Sequence, residues 1–235
     1  MKTLTSRIND RYLVRGIQPT NELTVYAEAC DSYAAGKISS DEIQAQMCTY
    51  LDASASRFRS LSEALGRDKE PSIAEIVTES VNMFVDSVIR TPELSALKLE
   101  VFSERNVKLP VGGYRKPDVA IWSKETENPT LKVVIECKTC LGRRRKEWMG
   151  DFEDRVKEFS SIGVNPSSML LFVGTDTTWK GFPQDDPRVH ETWFSLCPTG
   201  TWYGGGKAGE VSLSQKQHPN VLKKLHEVII TLTTK

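Results

Sequence analysis

Asp118, Glu136 and Lys138 are the residues of this chain whose types and spacing could do chemistry together. Asp118 opens a short apolar run, Val119 to Trp122. Glu136 and Lys138 close a second one, Leu131 to Ile135. Ser123 to Thr130, with Asn128-Pro129, is turn material between them. Two strands joined by a turn form a hairpin whose outer ends meet, so Asp118 and Glu136 should lie side by side. Glu136 and Lys138 are two apart and face the same way on a strand, with Cys137 facing the other. Two carboxylates are hard ligands that suit Mg²⁺ together with waters. Such an ion polarises a phosphoryl oxygen and acidifies a bound water. A lysine beside it orients or deprotonates that water, or neutralises charge on phosphorus. An edge hairpin with surface charges is the simpler alternative. It has to explain charges on a run apolar enough to be buried, where unpaired charge is costly.

The pattern Pro117-Asp118 … Glu136-Cys137-Lys138 resembles the PD-(D/E)XK nuclease superfamily, over about Ser72 to Val173. The resemblance implies an α/β, restriction-endonuclease-like fold: a mixed central sheet flanked by helices, here with a helical N-terminal region. It implies a Mg²⁺-dependent endodeoxyribonuclease in which Asp118 and Glu136 bind metal and the Cys137 main-chain carbonyl adds a ligand. Lys138 would handle the attacking water. In many relatives a carboxylate on the helix before the sheet joins the metal site, and Glu79 is the candidate here. A solvated glutamate is the plainer reading of Glu79. A compact chain without helicase motifs looks most like a type II restriction endonuclease, acting as a homodimer on double-stranded DNA. Repair or phage-defence nucleases, and a non-catalytic DNA-binding module, remain alternatives.

Positioning elements can be read in order. Asn21 to Lys37 has helical spacing of Leu23, Tyr26, Ala27, Cys30 and Tyr33, ended by Gly36. Ser39 to Glu42 is a capping box opening a second helix that runs toward Gly66. Residues 1–20 show no clear period. Residues 1–70 thus read as a helical region serving as a cap, dimer surface or DNA grip through Arg57, Arg59 and Arg67. Residues 71–235 read as the nuclease core with recognition loops. Ser72 to Glu75 is another capping box, and Ile76, Val77, Val81, Phe84, Val88 and Ile89 make that helix's apolar face. Leu97 to Leu109 reads as the first core strand. Val111 to Tyr114 turns the chain toward Pro117, placing Arg115 and Lys116 where they can hold a phosphate.

After Lys138 comes the dense basic run Arg143-Arg144-Arg145-Lys146, leading into a helix from about Glu147 to Ile162. Such a run is often a solvated turn. Beside two carboxylates it also suits a polyanion laid across the site. In the superfamily a helix here packs on the sheet and approaches the DNA backbone. Ser168 to Val173 and Glu191 to Cys197 read as strands and Asn220 to Leu232 as a closing helix. The long loop with Trp179, Lys180 and Arg188 suits recognition, and the glycines of the stretch Trp202 to Lys207 either allow close backbone approach to a groove or merely form a flexible hairpin. The latter is not a P-loop, since Thr201 and Ala208 break the pattern, and no nucleotide cofactor is expected.

Lys plus Arg and Asp plus Glu are 31 each, so any DNA-binding surface must be local. Five cysteines argue against a disulfide framework, and Cys137 with Cys140 lacks the second pair a zinc site wants. No secretory leader or membrane span is visible, which points to a cytoplasmic protein without membrane attachment.

Overall fold

The computed structural model describes residues 2–14, 18–65, 73–140, 145–175, 188, 191–197 and 212–234. Four helices come first: α1 (Leu4–Val14), α2 (Asn21–Ala34), α3 (Ser40–Leu65) and α4 (Ile73–Ile89). Strands β1 (Leu99–Ser103), β2 (Val107–Lys108), β3 (Tyr114–Arg115), β4 (Val119–Ser123) and β5 (Thr130–Cys140) follow. Then come α5 (Arg145–Ser160), β6 (Met169–Thr175), β7 (Trp193–Cys197), α6 (Leu213–Lys216) and α7 (Val221–Thr233). Among the described residues no helix is long and apolar enough to cross a membrane.

The main sheet has the order β1-β4-β5-β6-β7. Its first half is antiparallel and its second half, β5-β6-β7, parallel. The chain is therefore a mixed α/β fold with helices on both faces of a five-stranded sheet. Alternation along β5 decides what each face carries. Val133, Ile135 and Cys137 join a core built with α1 to α4, α6 and α7. Val134 faces the other way, into a cluster with Phe152 and Phe159 of α5, Leu171, Val173 and Trp193. One extra residue interrupts the β4–β5 ladder: Ile121 pairs Val133, but Trp122 pairs Leu131, leaving Lys132 unmatched. This bulge lets Leu131 pack on the α5 side and keeps Lys132 out of that core.

The capping box at Ser39 is present. Glu42 Oε2 accepts from the Ser39 backbone N–H at 2.7 Å, and Ser39 Oγ accepts from the Glu42 N–H at 3.3 Å. Ser72 of the second expected box lies outside the described residues, though α4 starts at the next residue. Two elements differ from expectation. Residues 1–20 contain a helix, α1, capped locally by the Thr3 hydroxyl, which accepts from the Ser6 N–H at 3.1 Å, and also by a distant residue. The Asp31 carboxylate accepts from the N–H groups of Leu4 and Thr5 at 2.8 and 3.0 Å and from the Thr5 hydroxyl at 2.7 Å. Leu4 and Ile8 are buried on the other helices, each contributing roughly 1.5–3 kcal/mol by burial. The stretch Leu97 to Leu109 is not one strand. Glu104 adopts φ 52°, and its N–H donates to the Pro117 carbonyl at 3.0 Å. That turn separates β1, an edge of the main sheet, from β2, which pairs with β3 in a small ribbon. Gly112 and Gly113, at φ 91° and 83°, make the ribbon's turn, where a side chain would be strained.

Candidate active site

The site forms where β4 begins and β5 runs past it. The ladder's last pair is Val119 with Ile135, so the next step outward sets Asp118 beside Glu136. Asp118 Oδ2 takes the Cys137 backbone N–H at 2.7 Å, substituting for the strand that has ended. In an extended strand the N–H and C=O of one residue point to the same edge, so the Cys137 carbonyl also faces this end of β4. Lys138 Nζ stands 3.8 Å from Asp118 Oδ2 and 3.8 Å from Glu136 Oε2. That is ion-pair range of both carboxylates and too long for a direct hydrogen bond, a spacing a water can bridge.

The three side chains differ sharply in exposure. Lys138 and Asp118 are 30% and 27% exposed, whereas Glu136 is at 1%. Burial, with the Asp118 charge adding to it, raises the Glu136 carboxyl to about 6, while Arg155 and Lys138 pull the other way. Glu136 Oε2 is held by Arg155 Nη1 of α5. Glu136 Oε1 is buried without a hydrogen-bond partner. An orphaned buried carboxylate oxygen is costly, which singles it out as a place for a ligand.

Arg155 was not anticipated from sequence. It sits three residues after Phe152 and four before Phe159, on the helix face that packs against the sheet. A cation at such a position is the signal that could have revealed it. One turn on, Glu158 accepts from Arg115 at 2.5 and 2.6 Å, a two-pronged pair that ties the β2–β3 ribbon to α5. That hydrogen bond holds the Glu158 carboxyl below its usual range and raises Arg115. Arg115 is thus already engaged by a carboxylate, while Lys116 beside it is exposed. Arg143 and Arg144 lie outside the described residues. Arg145 and Lys146 form the first turn of α5, a few residues beyond Lys138.

Glu79 is not brought to the pair. Its helix, α4, packs on the face of β5 that carries Val133, Ile135 and Cys137, while Glu136 belongs to the α5 face. After burial, the Glu79 charge is what most raises the Tyr50 hydroxyl of α3. Among the described residues no three or more His, Cys, Asp and Glu side chains are grouped to hold a metal. The protein donors at the site are therefore two carboxylates and a carbonyl. Mg²⁺ commonly uses one or two carboxylates and retains several waters, so this donor set fits it, and the orphaned Glu136 oxygen is the observation in its favour. A separate cavity of about 520 Å³ lies between α5 and β7, lined by Phe152, Val156, Lys157, Arg188 and Trp193, and includes none of Asp118, Glu136 and Lys138.

No protein-family model, curated protein or solved structure matches the chain.

Proposed function

We propose that the protein is a Mg²⁺-dependent endodeoxyribonuclease of the PD-(D/E)XK kind, with Asp118, Glu136 and Lys138 as its catalytic group. One observation carries the reading: Lys138 Nζ stands 3.8 Å from each of two adjacent carboxylates, one of them buried with an unpartnered oxygen. The element order α4, β1, β4-β5 hairpin, α5, β6 supports a restriction-endonuclease-like core.

Asp118, Glu136 and the Cys137 carbonyl would hold the ion, which when bound supplies Lewis acidity at a phosphoryl oxygen and a more acidic water. The chain's own residues do the rest. The Cys137 N–H fixes Asp118 so that its carboxylate needs no reorganisation during reaction. Lys138 orients the attacking water, which gives a proton to solvent and adds to phosphorus as the ester P–O bond breaks, and the leaving oxygen takes a proton back from solvent. The Lys138 charge also offsets the negative charge that builds on phosphorus. Arg143, Arg144, Arg145 and Lys146, with Lys116, supply the cations a phosphate backbone needs, on a chain whose charges otherwise balance. The helix dipole at the start of α5 points the same way.

Within this reading the job that fits best is that of a type II restriction endonuclease cutting duplex DNA as a homodimer. Supercoiled plasmid incubated with Mg²⁺ tests it. Discrete fragments with uniform mapped ends support a sequence-specific enzyme. A smear or end-dependent loss supports a repair or phage-defence nuclease. The Arg155–Glu136 ion pair favours a second reading, a DNA-binding module that does not cut. Duplex binding with no cleavage in either Mg²⁺ or Mn²⁺ would establish that one instead.

A further inference from the structure

Arg155 occupies the carboxylate that the proposed chemistry needs. Glu136 is buried, so in the free protein its charge requires a counter-ion, and Arg155 supplies it at Oε2. A guanidinium on that carboxylate and a divalent cation beside it compete for the same negative charge. Arg155 is itself 35% exposed, so its head can turn outward into water, provided a cation takes its place on Glu136. It also belongs to a series of alternating charges: Arg115, Glu158, Arg155, Glu136, Lys138 and Asp118. In such a series, removing one pairing re-partners its neighbours. The strongest competitor for a guanidinium is a phosphate diester, which takes the same two-pronged contact as a carboxylate.

We propose that Arg155 is an exchange counter-ion: it holds Glu136 until a nucleic-acid phosphate draws it away, and so makes divalent-metal binding depend on substrate. This rests on the nuclease reading of the site. Free protein then binds metal weakly at Asp118 and Glu136. Protein on DNA binds it more tightly, and by reciprocity metal tightens the hold on DNA by the same factor. A metal-loaded site without its substrate is avoided.

The test uses Ca²⁺ throughout, by calorimetry on the free protein and by anisotropy of a labelled duplex of about 20 base pairs. Wild-type protein is expected to bind the duplex at least about tenfold more tightly in saturating Ca²⁺. Arg155→Gln, which keeps an amide donor for Glu136 but removes the charge, is expected to bind Ca²⁺ at least about tenfold more tightly without DNA. Its coupling between Ca²⁺ and duplex should shrink to a fraction of the wild-type factor. Arg155→Lys, which keeps the charge, should restore weak binding. The tightening should vanish when Glu136→Gln is added to Arg155→Gln. A folded Arg155→Gln that binds Ca²⁺ no better than wild type overturns the proposal. If that variant does not fold, wild-type protein showing no Ca²⁺ effect on duplex affinity overturns it instead. Cleavage in Mg²⁺ is read in parallel. Cutting with unchanged Ca²⁺ affinity in the variant removes the exchange and leaves the nuclease. Tightening without any cutting keeps the exchange and removes the hydrolytic reading.

Discussion

Replacing Glu136 by Gln should make the metal-free protein more stable at neutral pH while destroying its activity. The Glu136 carboxyl moves from 4.5 to about 6 on folding. A carboxyl raised in the folded state binds its proton more tightly there than in the unfolded chain. Stability from this group is therefore full below about pH 4.5 and falls as pH rises through about 6. At about 1.4 kcal/mol per pKa unit, the loss is about 2 kcal/mol at pH 7. Because Glu136 is at 1% exposure, solvent screening takes little from that figure. Gln keeps the shape and has nothing to ionise. That figure is already net of the Arg155 and Lys138 charges, which pull the carboxyl down, and Arg155, at 35% exposure, is rehydrated when its partner becomes neutral. Thermal melts in EDTA from pH 4 to 8 should show the two proteins converging below about pH 4.5. Above about pH 6, Glu136→Gln should melt about 4–8 °C higher. A variant less stable than wild type above pH 6 would refute the reasoning. It would mean that the Arg155 pair outweighs the desolvation of Glu136, as in a purely structural ion pair.

Three further outcomes are expected. Asp118→Ala and Lys138→Ala should stay folded by circular dichroism and lose cleavage by at least about 10²-fold, the usual scale for removing an electrostatic or acid–base group; near-parent cutting by Lys138→Ala would remove it from the chemistry. Neutralising Arg144 and Arg145 should reduce the slope of log binding constant against log salt by about 1 for each DNA phosphate that these arginines neutralise, measured by duplex titration, and an unchanged slope returns them to a solvated turn. Asp31→Ala should cost about 1–3 kcal/mol, combining loss of the hydrogen bonds to the first turn of α1 with loss of one of the two carboxylates on Arg90, Asp86 remaining, and hydrogen exchange should rise across residues 4–14 more than elsewhere.

The hairpin was legible because its information is local: two apolar runs, a turn between them, and a period of two that fixes which side chains share a face. The same holds for α2 and α3, whose caps and stripes are local, and for the apolar stripes of α5 and α7. What was not legible depends on partners far along the chain. Among the described residues α1 buries only Leu4 and Ile8, and beside its local Thr3 cap the N–H groups of Leu4 and Thr5 are taken by Asp31, far along the chain. The break at Glu104 is set by a hydrogen bond to Pro117 and not by the alternation of Leu97 to Leu109. Glu79 was suggested by resemblance, but period and caps cannot say which face of a sheet a helix will cover. Arg155 was overlooked for a similar reason. An arginine on a helix reads as solvated until the sheet beneath it is seen to offer a buried carboxylate.

The proposed chemistry requires an ion held between Asp118 and Glu136. Crystals equilibrated with Mn²⁺ near pH 7 and measured at the manganese edge test this directly. The expected result is an anomalous peak within coordinating distance of an Asp118 oxygen and of Glu136 Oε1, with the Cys137 carbonyl facing it. A map with no peak there at saturating Mn²⁺, with or without bound duplex, and with Arg155 still on Glu136, would contradict it.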